Sequence, residues 1–311
     1  MSGAATAVPA RARAARAPRP GGVARRQARF GLLLALPPMA VFGAMILYPF
    51  LDALRRAFYE DTLMSTEPIF IGFGNFAQLW EDGTILGTWV VTVVFVVLAT
   101  AFTFLLGLAW AVVLNERFPA RALVRSVSLL PWVLPSTVVA FLWAWMLNGQ
   151  YGLLNAVLLS LGLLDQPVAW LATPGGAMAG VVLAKVWLSI PLFTAFLLAG
   201  LQSLPQEQIE AARIDGAANR HVLRHVAWPH LRPTIAVLVV LGALGNLQQF
   251  DVIYAMTGGG PVRATTVMSI EVQRQAFQSW NIGLAAAVGV VWFLTILGPA
   301  FLRLRTIMRE V

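Results

Sequence analysis

The sequence predicts an all-α integral membrane protein with six transmembrane helices, and three observations lead to this prediction. The 311-residue chain is 59% hydrophobic and only 12% charged, which differs strongly from the composition of a soluble domain. Long runs without charged residues recur along it, and most approach the ~20 apolar residues that a membrane-crossing helix needs. Arginines are concentrated in alternate connections between these runs, as the positive-inside rule requires of a multi-pass protein.

The six predicted spans share an apolar composition and a near absence of charge. They cover residues 30–51, 88–113, 126–147, 176–201, 234–255 and 282–302. Two of them contain a charge: Lys185 lies in the fourth, and the fifth reaches a sufficient length only by including Asp251. The apolar segment 152–164 is too short to cross a bilayer, so we expect a helix on the outer surface there. A seventh span is the alternative.

The placement of arginine predicts that both termini lie in the cytoplasm. The chain has 21 arginines and one lysine, and 17 of the arginines are cytoplasmic if the N-terminus is inside. A seventh span would remove this asymmetry. Residues 1–29, rich in Ala, Arg, Pro and Gly, are predicted to form a disordered basic cytoplasmic tail. RRQARFGLLL also resembles a twin-arginine signal, but the 22-residue apolar run that follows favours a retained span.

The connection between the fourth and fifth spans, residues 202–232, is predicted to fold. Ser203 is placed to cap a short helix over residues 206–214, and Gly216 permits a sharp change of direction. A second amphipathic helix follows, and Pro229 and Pro233 are expected to end it. Two helices hinged at a glycine would form a surface knob suited to docking another protein. A helical loop lying against lipid phosphates is the alternative.

This connection resembles the EAA loop found in permease subunits of binding-protein-dependent ABC importers. The family pattern is E-A-A, two residues, D-G-A, eight residues and I-x-L-P. The residues that match it are Glu210, Ala211, Ala212, Asp215, Gly216, Ala217 and Pro229. Val226 stands in place of the family's Ile, and Trp228 replaces its Leu. We call residues 202–232 the EAA connection.

The resemblance implies a type I ABC importer permease fold for residues 30–311 and a place in a bacterial cytoplasmic membrane. In that family the segment that corresponds to residues 210–216 docks on a separate ATPase. The resemblance also implies four partners: a second permease subunit, two ATP-binding subunits and an extracytoplasmic solute-binding protein. A P-loop requires a Gly-Lys pair, and the only lysine of this chain follows Ala184. ATP and Mg²⁺ are therefore expected on the partner, with no cofactor and no enzymatic activity on this chain.

A second resemblance concerns the substrate. Residues 129–155 and the segment FDVIYAMTGGGPVRATTVMSIEVQRQAF (250–277) are similar to the carbohydrate branch of these permeases. A sugar importer is thus implied, with an importer for glycerol phosphate, a polyamine or an amino acid as the alternative. A stand-alone secondary transporter is a further alternative. The outer-loop residues Gly258, Gly259, Gly260 and Pro261 are predicted to form a turn, either a gate or a packing element.

Polar and aromatic residues within the predicted spans make up the candidate substrate pathway. They are Asn246, Gln248, Gln249, Asp251, Tyr254, Lys185 and Trp187, with Trp143 and Trp145 as further aromatic surfaces. Polar groups at membrane depth are costly unless they face a partner or an aqueous cavity. Helix-to-helix hydrogen bonding by Asn and Gln is the alternative, as is an ion pair between Asp251 and Lys185. Because Lys185 is the only candidate cation on the pathway, neutral sugars are favoured over sugar phosphates.

A metal site is the least favoured interpretation of the EAA connection. His221 and His225 lie one helical turn apart, with Glu210 in the same connection. No acid lies between the two histidines, unlike the H-E-x-x-H pattern. The chain contains no cysteine, which excludes disulfides, thiolate catalysis and Cys-ligated metals.

Overall fold

A computed structural model of the protein describes residues 22–65 and 67–307, in which α-helices dominate. The α-helices in these residues are α1 (Gly22–Phe42), α2 (Tyr48–Arg56), α3 (Gly74–Glu81), α4 (Thr84–Asn115), α5 (Arg121–Ser128), α6 (Leu130–Val133), α7 (Ser136–Met146), α8 (Leu153–Ser160), α9 (Pro174–Gln202), α10 (Gln206–Ile214), α11 (Asn219–Val222), α12 (Trp228–Leu247), α13 (Asp251–Thr257), α14 (Met268–Phe277) and α15 (Ile282–Ile307). Two π turns (Gly43–Leu47 and Leu223–Ala227), a 3₁₀ turn (Trp170–Ala172) and a short antiparallel hairpin, β1 (Tyr59–Glu60) with β2 (Ile69–Phe70), complete the described elements.

The chain divides into two compact units, residues 1–52 and 53–311. In the described part of the first unit, α1 continues through the π turn Gly43–Leu47 into α2, and its large apolar side chains are exposed. Residues 22–29, which the sequence assigns to a disordered tail, are helical here and belong to α1. The remainder of that predicted tail, residues 1–21, lies outside the described residues.

Four helical stretches among the described residues are long and apolar enough to cross a membrane. They are Arg29–Arg56, Thr84–Asn115, Pro174–Gln202 and Arg220–Leu247. A fifth candidate is the pair Arg121–Val133 and Ser136–Met146, which meet at a bend of 97°. The apolar part of α15 is shorter, Ile282–Gly298. All six predicted span regions are thus helical, and the count of six remains consistent with the fold.

Two predicted spans are broken, so the prediction of one continuous helix was wrong for each. In the third span the break lies at Leu134, whose backbone is extended because the following Pro135 disfavours a helical conformation there. In the fifth span α12 ends at Leu247 and α13 begins at Asp251. The carbonyl oxygens freed by this second break accept hydrogen bonds from distant side chains. Trp292 Nε1 donates to Leu247 O at 3.0 Å, and Ser269 Oγ donates to Gln249 O at 2.6 Å.

The short apolar segment 152–164 contains a helix, α8, in agreement with the predicted short helix. Asn155, which is 2% exposed, links this helix to the neighbouring loop by hydrogen bonds. Its Nδ2 donates to Gly149 O at 3.0 Å and to Val168 O at 2.9 Å, while its Oδ1 accepts from Trp170 Nε1 at 2.9 Å. Bonds in both directions satisfy the buried amide and hold α8 in place.

The helices α4, α9 and α12 pack closely because glycines remove side chains at their contacts. A Cβ built on Gly107 of α4 would lie 2.9 Å from Phe193 Cβ of α9, and one on Gly242 of α12 would lie 2.6 Å from Phe193 Cζ. Near the EAA connection, a Cβ on Gly200 would lie 2.6 Å from Leu231 Cδ2. Small residues at these positions let helix backbones approach each other, as they do in membrane helix bundles.

Candidate functional site

The first half of the EAA connection is a short helix that ends in a glycine turn. Helix α10 runs from Gln206 to Ile214, in agreement with the predicted helix. Gly216 has a φ of +78°, a left-handed conformation in which glycine carries no side-chain penalty. Ala217 N donates to Ala212 O at 3.0 Å, the closing hydrogen bond of a Schellman-type helix end. The glycine therefore fixes a definite turn between the two helices.

The end of α10 presents an exposed surface that contains an apolar side chain. Glu210, Ala211, Asp215 and Gly216 are all exposed, and Ile214 is 86% exposed. Exposed isoleucine at the tip of a polar connection favours a protein contact, because burial of an apolar side chain against a partner removes it from water.

The second half of the connection is joined without interruption to the following span. α11, the π turn Leu223–Ala227 and α12 form one helical stretch, Arg220–Leu247. The prediction that Pro229 and Pro233 end the second helix was wrong. Trp228 N bonds to Leu223 O, five residues back, and this wider π turn lets the helix continue past Pro229, which lacks an N–H. The second half of the connection and the start of the fifth span are therefore a single helical element.

The two ends of the connection are tied to each other by a side-chain contact. Ser203 follows the last residue of α9, and its Oγ lies 2.9 Å from His230 Nε2 on α12. The same Oγ donates to Gly200 O at 2.9 Å. The prediction that Ser203 caps α10 was therefore wrong, since the hydroxyl turns back toward α9 and α12.

The histidines of the connection stack on one another. The rings of His221 and His225 lie 6.1 Å apart with an interplanar angle of 17°, and His225 Nδ1 lies 3.1 Å from His221 O. Within residues 22–65 and 67–307 there is no group of three or more His, Cys, Asp or Glu side chains that could hold a metal ion.

A cavity of about 370 Å³ lies between the broken third span, α9 and α12. The polar residues in its lining are Thr103, Ser136, Lys185, Ser189 and Asn246. Its apolar lining includes Trp132, Leu134, Phe193, Phe196 and Leu238. Thr103 is 1% exposed, and its buried hydroxyl has no hydrogen-bond partner among the described residues.

The two charged residues predicted within spans lie around this cavity but do not form an ion pair. Asp251 Oδ2 accepts a hydrogen bond of 2.7 Å from Ser136 Oγ, and Ser136 itself lines the cavity. Lys185 lines the cavity from α9, and among the described contacts it forms no ion pair with Asp251. The structure thus brings Lys185, Ser136 and Asp251 into one polar region.

The other predicted pathway residues separate into different environments. Asn246 lines the cavity but is only 5% exposed. Its Nδ2 donates to Thr100 Oγ1 at 2.9 Å, a hydrogen bond between α12 and α4, which agrees with the alternative of helix-to-helix bonding. Gln249 is buried at the helix break, while Gln248 is exposed. Tyr254 is 43% exposed and stacks on Phe250 with ring centroids 5.0 Å apart.

The predicted aromatic surfaces lie outside the cavity lining. Trp187 contacts Trp143 edge-on, with ring centroids 6.2 Å apart. Trp143 Nε1 is buried and without a hydrogen-bond partner. Trp145 is 49% exposed. The cavity instead takes its aromatic surface from Trp132, Phe193 and Phe196, none of which the sequence singled out.

The predicted turn at residues 258–261 forms a hydrogen-bonded loop. Gly258 and Gly259 have φ values of +58° and +94°. Thr265 Oγ1 donates to Gly260 O at 2.9 Å, and Thr266 Oγ1 donates to Gly259 O at the same distance. A Cβ on Gly259 would lie 2.7 Å from Thr266 Oγ1, so glycine is required for this close approach.

The same loop contains an ion pair that the sequence did not suggest. Arg263 Nη2 donates to Glu271 Oε2 at 2.8 Å, and the Glu271 side chain is fully buried. Gln275 Nε2 donates to the other carboxylate oxygen at 2.7 Å. A carboxylate at i+8 from an arginine gave no recognisable pattern. The fully buried carboxylate needs these partners, because without Arg263 and Gln275 its charge would be left uncompensated.

Three comparisons with known proteins bear on this chain. The family model described as binding-protein-dependent transport system inner membrane component matches residues 103–304. The trehalose/maltose transport system permease protein MalF of Thermococcus litoralis is 35% identical over 275 residues, 88% of this chain and 91% of that protein. The sn-glycerol-3-phosphate transport system permease protein UgpA of Yersinia pestis bv. Antiqua is 31% identical over 282 residues, 90% of this chain and 94% of that protein.

Solved structures show the same fold. A chain in the crystal structure of a bacterial alginate ABC transporter in complex with an alginate pentasaccharide-bound periplasmic protein superposes with a TM-score of 0.73. The two chains share 25% identity, and the match covers 88% of this chain and 94% of the other. The helical architecture therefore belongs to a known membrane-protein fold.

Proposed function

Because the chain belongs to the family of binding-protein-dependent transport system inner membrane components, we propose that it forms half of the translocation pathway of an ATP-driven sugar importer. A second permease subunit supplies the other half, and two ATP-binding subunits hold ATP and Mg²⁺ and carry out hydrolysis. A solute-binding protein delivers the sugar from outside. Both termini of the chain lie in the cytoplasm of a bacterial cell.

The observation that carries this proposal is the geometry of the EAA connection. An exposed helix end at Glu210–Gly216 is available to an ATPase, and the continuous stretch from Arg220 to Leu247 joins it to a span. The contact between Ser203 and His230 ties both ends of the connection together. We therefore expect force applied at the tip to move α9 and α12 together, and both helices contribute to the cavity lining.

The broken third span supports a pathway shared with a second subunit. Trp132, Leu134 and Ser136 line the cavity, while Val133, Val138 and Phe141 of the same segment are exposed by 55% or more. Exposed apolar side chains next to the cavity lining suit a subunit interface. The second permease is the proposed occupant of this face.

The cavity chemistry supports a neutral sugar as substrate. The hydroxyl groups of a sugar both donate and accept hydrogen bonds. Asp251 supplies a carboxylate acceptor, and Ser136, Ser189 and Lys185 supply hydroxyl and ammonium donors. Lys185 is the only charged residue in the lining, and Asp251 lies near it. This arrangement offers an anionic substrate little net positive charge. The relative described as a trehalose/maltose permease agrees with this assignment.

Uptake by the reconstituted complex tests the substrate and the role of Asp251. We expect ATP-dependent uptake of a labelled disaccharide such as maltose or trehalose, competed by unlabelled sugar. Asp251→Asn keeps an acceptor for Ser136 and removes the charge. It should raise the apparent KM for the sugar on the order of tenfold, while the ATPase still co-purifies. Loss of the ATPase in this variant would show that Asp251 is structural.

The glycerol-phosphate permease relative makes sn-glycerol 3-phosphate the competing substrate. The same assay separates the two, because uptake of labelled glycerol 3-phosphate that excess disaccharide does not reduce would contradict the sugar assignment. Uptake by this chain alone in vesicles without ATP would instead establish a secondary transporter.

A further inference from the structure

A second groove, about 210 Å³ in volume, lies beside the end of α9 that leads into the EAA connection. Most of its lining is apolar and includes Leu129, Leu198 and Ala199, together with the polar side chains of Arg125 and Gln202. It shares no lining residue with the cavity of the proposed sugar pathway. The groove is therefore a separate site that combines apolar walls with a cation.

Two arginines from α5 converge on the backbone of Leu114, which lines this groove. Arg121 donates from Nε to Leu114 O at 2.7 Å and from Nη2 to Asn115 O at 3.1 Å, so both bonds cap the last carbonyls of α4. Arg125 donates from Nη2 to Leu114 O at 3.1 Å. When the Gln202 carboxamide is oriented with its oxygen toward the arginines, that oxygen accepts from Arg125 Nη2 at 2.6 Å. The guanidinium planes are thus held in fixed positions.

Helix capping accounts for Arg121 but leaves Arg125 incompletely bonded. Arg125 Nε is buried and has no hydrogen-bond partner in the part of the chain that the structure describes. No carboxylate among the described residues forms an ion pair with either guanidinium. Two neighbouring positive charges without an acid among the described residues to balance them attract an anion, and each guanidinium is only partly buried, so an anion can approach it.

The position of the groove identifies the source of that anion. Arg125 and Gln202 lie where α4 and α9, two membrane-spanning helices, end. Trp110, which is 38% exposed, donates from Nε1 to Ser128 Oγ at 2.9 Å, and Ser128 also lines the groove. Tryptophan and arginine at the end of a span lie at the depth of lipid headgroups. The phosphate of a phospholipid is the anion present at that depth. An acyl chain of the same lipid can pack against the apolar walls of the groove.

We propose that this groove binds an anionic phospholipid of the cytoplasmic leaflet. The headgroup phosphate accepts from the guanidinium groups of Arg125 and Arg121, and one acyl chain lies along Leu129, Leu198 and Ala199. This inference rests on one part of the proposed function, which is the orientation of the chain in the membrane. A bound lipid at this place joins the ends of α4 and α9 next to the EAA connection.

Lipid retention by the full chain, purified with its partner subunits in nanodiscs, tests the inference. The nanodiscs contain phosphatidylcholine with a minor fraction of phosphatidylglycerol, and native mass spectrometry measures how far the retained lipid is enriched in phosphatidylglycerol. Arg125→Gln should lower this enrichment on the order of fivefold. Arg117→Gln is the matched control, because it removes the same charge from an exposed side chain outside the groove and should leave the enrichment unchanged.

A second variant keeps both arginines and fills the apolar part of the groove. Ala199→Phe places a ring where the acyl chain is expected, on an exposed position of α9. It should lower the enrichment as Arg125→Gln does. Equal enrichment in Arg125→Gln and Arg117→Gln would overturn the inference. If Arg125→Gln does not fold, unchanged enrichment in Ala199→Phe would overturn it instead.

Inorganic phosphate distinguishes a lipid headgroup from a free phosphate. Millimolar inorganic phosphate should leave the enrichment unchanged, because it lacks an acyl chain to occupy the groove. Full displacement of phosphatidylglycerol by phosphate would assign the site to a free anion and overturn the lipid assignment. Failure of sugar uptake with the lipid enrichment intact would count against the proposed function and leave this inference standing.

Discussion

At the residue scale, the chemistry of single positions was visible in the sequence, but their partners were not. Gly216 was identified as a change of direction, and its φ of +78° agrees. Asp251 and Lys185 were identified as costly charges within spans. The hydrogen bond from Ser136 to Asp251, 115 residues apart in the chain, depends on how the broken third span packs, and no local pattern contains that information.

Gly216 gives a prediction at this scale. Gly216→Pro forces φ to about −65°, far from the observed +78°, and should abolish uptake while leaving membrane insertion intact. Gly216→Asn is the matched variant, because asparagine tolerates the left-handed region and nothing lies within 4 Å of a Cβ placed there. It should retain most of the uptake. Normal uptake by the proline variant would refute a coupling role for this turn.

At the element scale, hydropathy located the helices and missed their breaks. The third span bends by 97° at Leu134–Pro135, and the fifth stops at Leu247. Both segments are apolar enough to appear continuous. The second break is stable because Trp292 and Ser269 satisfy the freed carbonyls from another part of the chain. Pro229 was expected to end a helix, yet the π turn before it lets the helix continue.

The packing of α4 against α9 gives a prediction at the element scale. Gly107→Ala places a Cβ 2.9 Å from Phe193 Cβ and should destabilise the protein by about 1–3 kcal/mol through overpacking. Gly87→Ala, on the same helix with nothing within 4 Å, is the control and should be neutral or slightly stabilising. Thermal unfolding of the purified chain in detergent measures both. Equal unfolding midpoints would contradict the close helix contact.

At the scale of the whole molecule, the distribution of charge predicts the orientation in the membrane. The EAA connection carries four arginines, whereas the loop that follows the fifth span carries two. One membrane crossing, Arg220–Leu247, separates Ile214 from Val262. These two side chains are 86% and 91% exposed, so each reports the side of the membrane on which it lies.

The absence of cysteine makes the orientation testable without background labelling. In intact spheroplasts, a membrane-impermeant maleimide should label Val262→Cys and should leave Ile214→Cys unlabelled. Permeabilised membranes should give labelling of both, because each side chain is largely exposed. Labelling of Ile214→Cys in the intact spheroplasts would contradict the proposed topology. It would also contradict the orientation inferred from the distribution of arginine.

The membrane class, the helical regions and the EAA spacing could be determined from the sequence alone. Each depends on local composition or on a fixed spacing along the chain, and Glu210 through Pro229 match the family pattern without reference to anything distant. Three features could not be determined in this way: the pairing of Glu271 with Arg263, the hydrogen bond from Asn246 to Thr100 and the aromatic lining of the cavity. Only the tertiary structure decided them, because the side chains that meet there are brought together by helix packing, and closely packed glycines such as Gly107 and Gly242 set which faces meet.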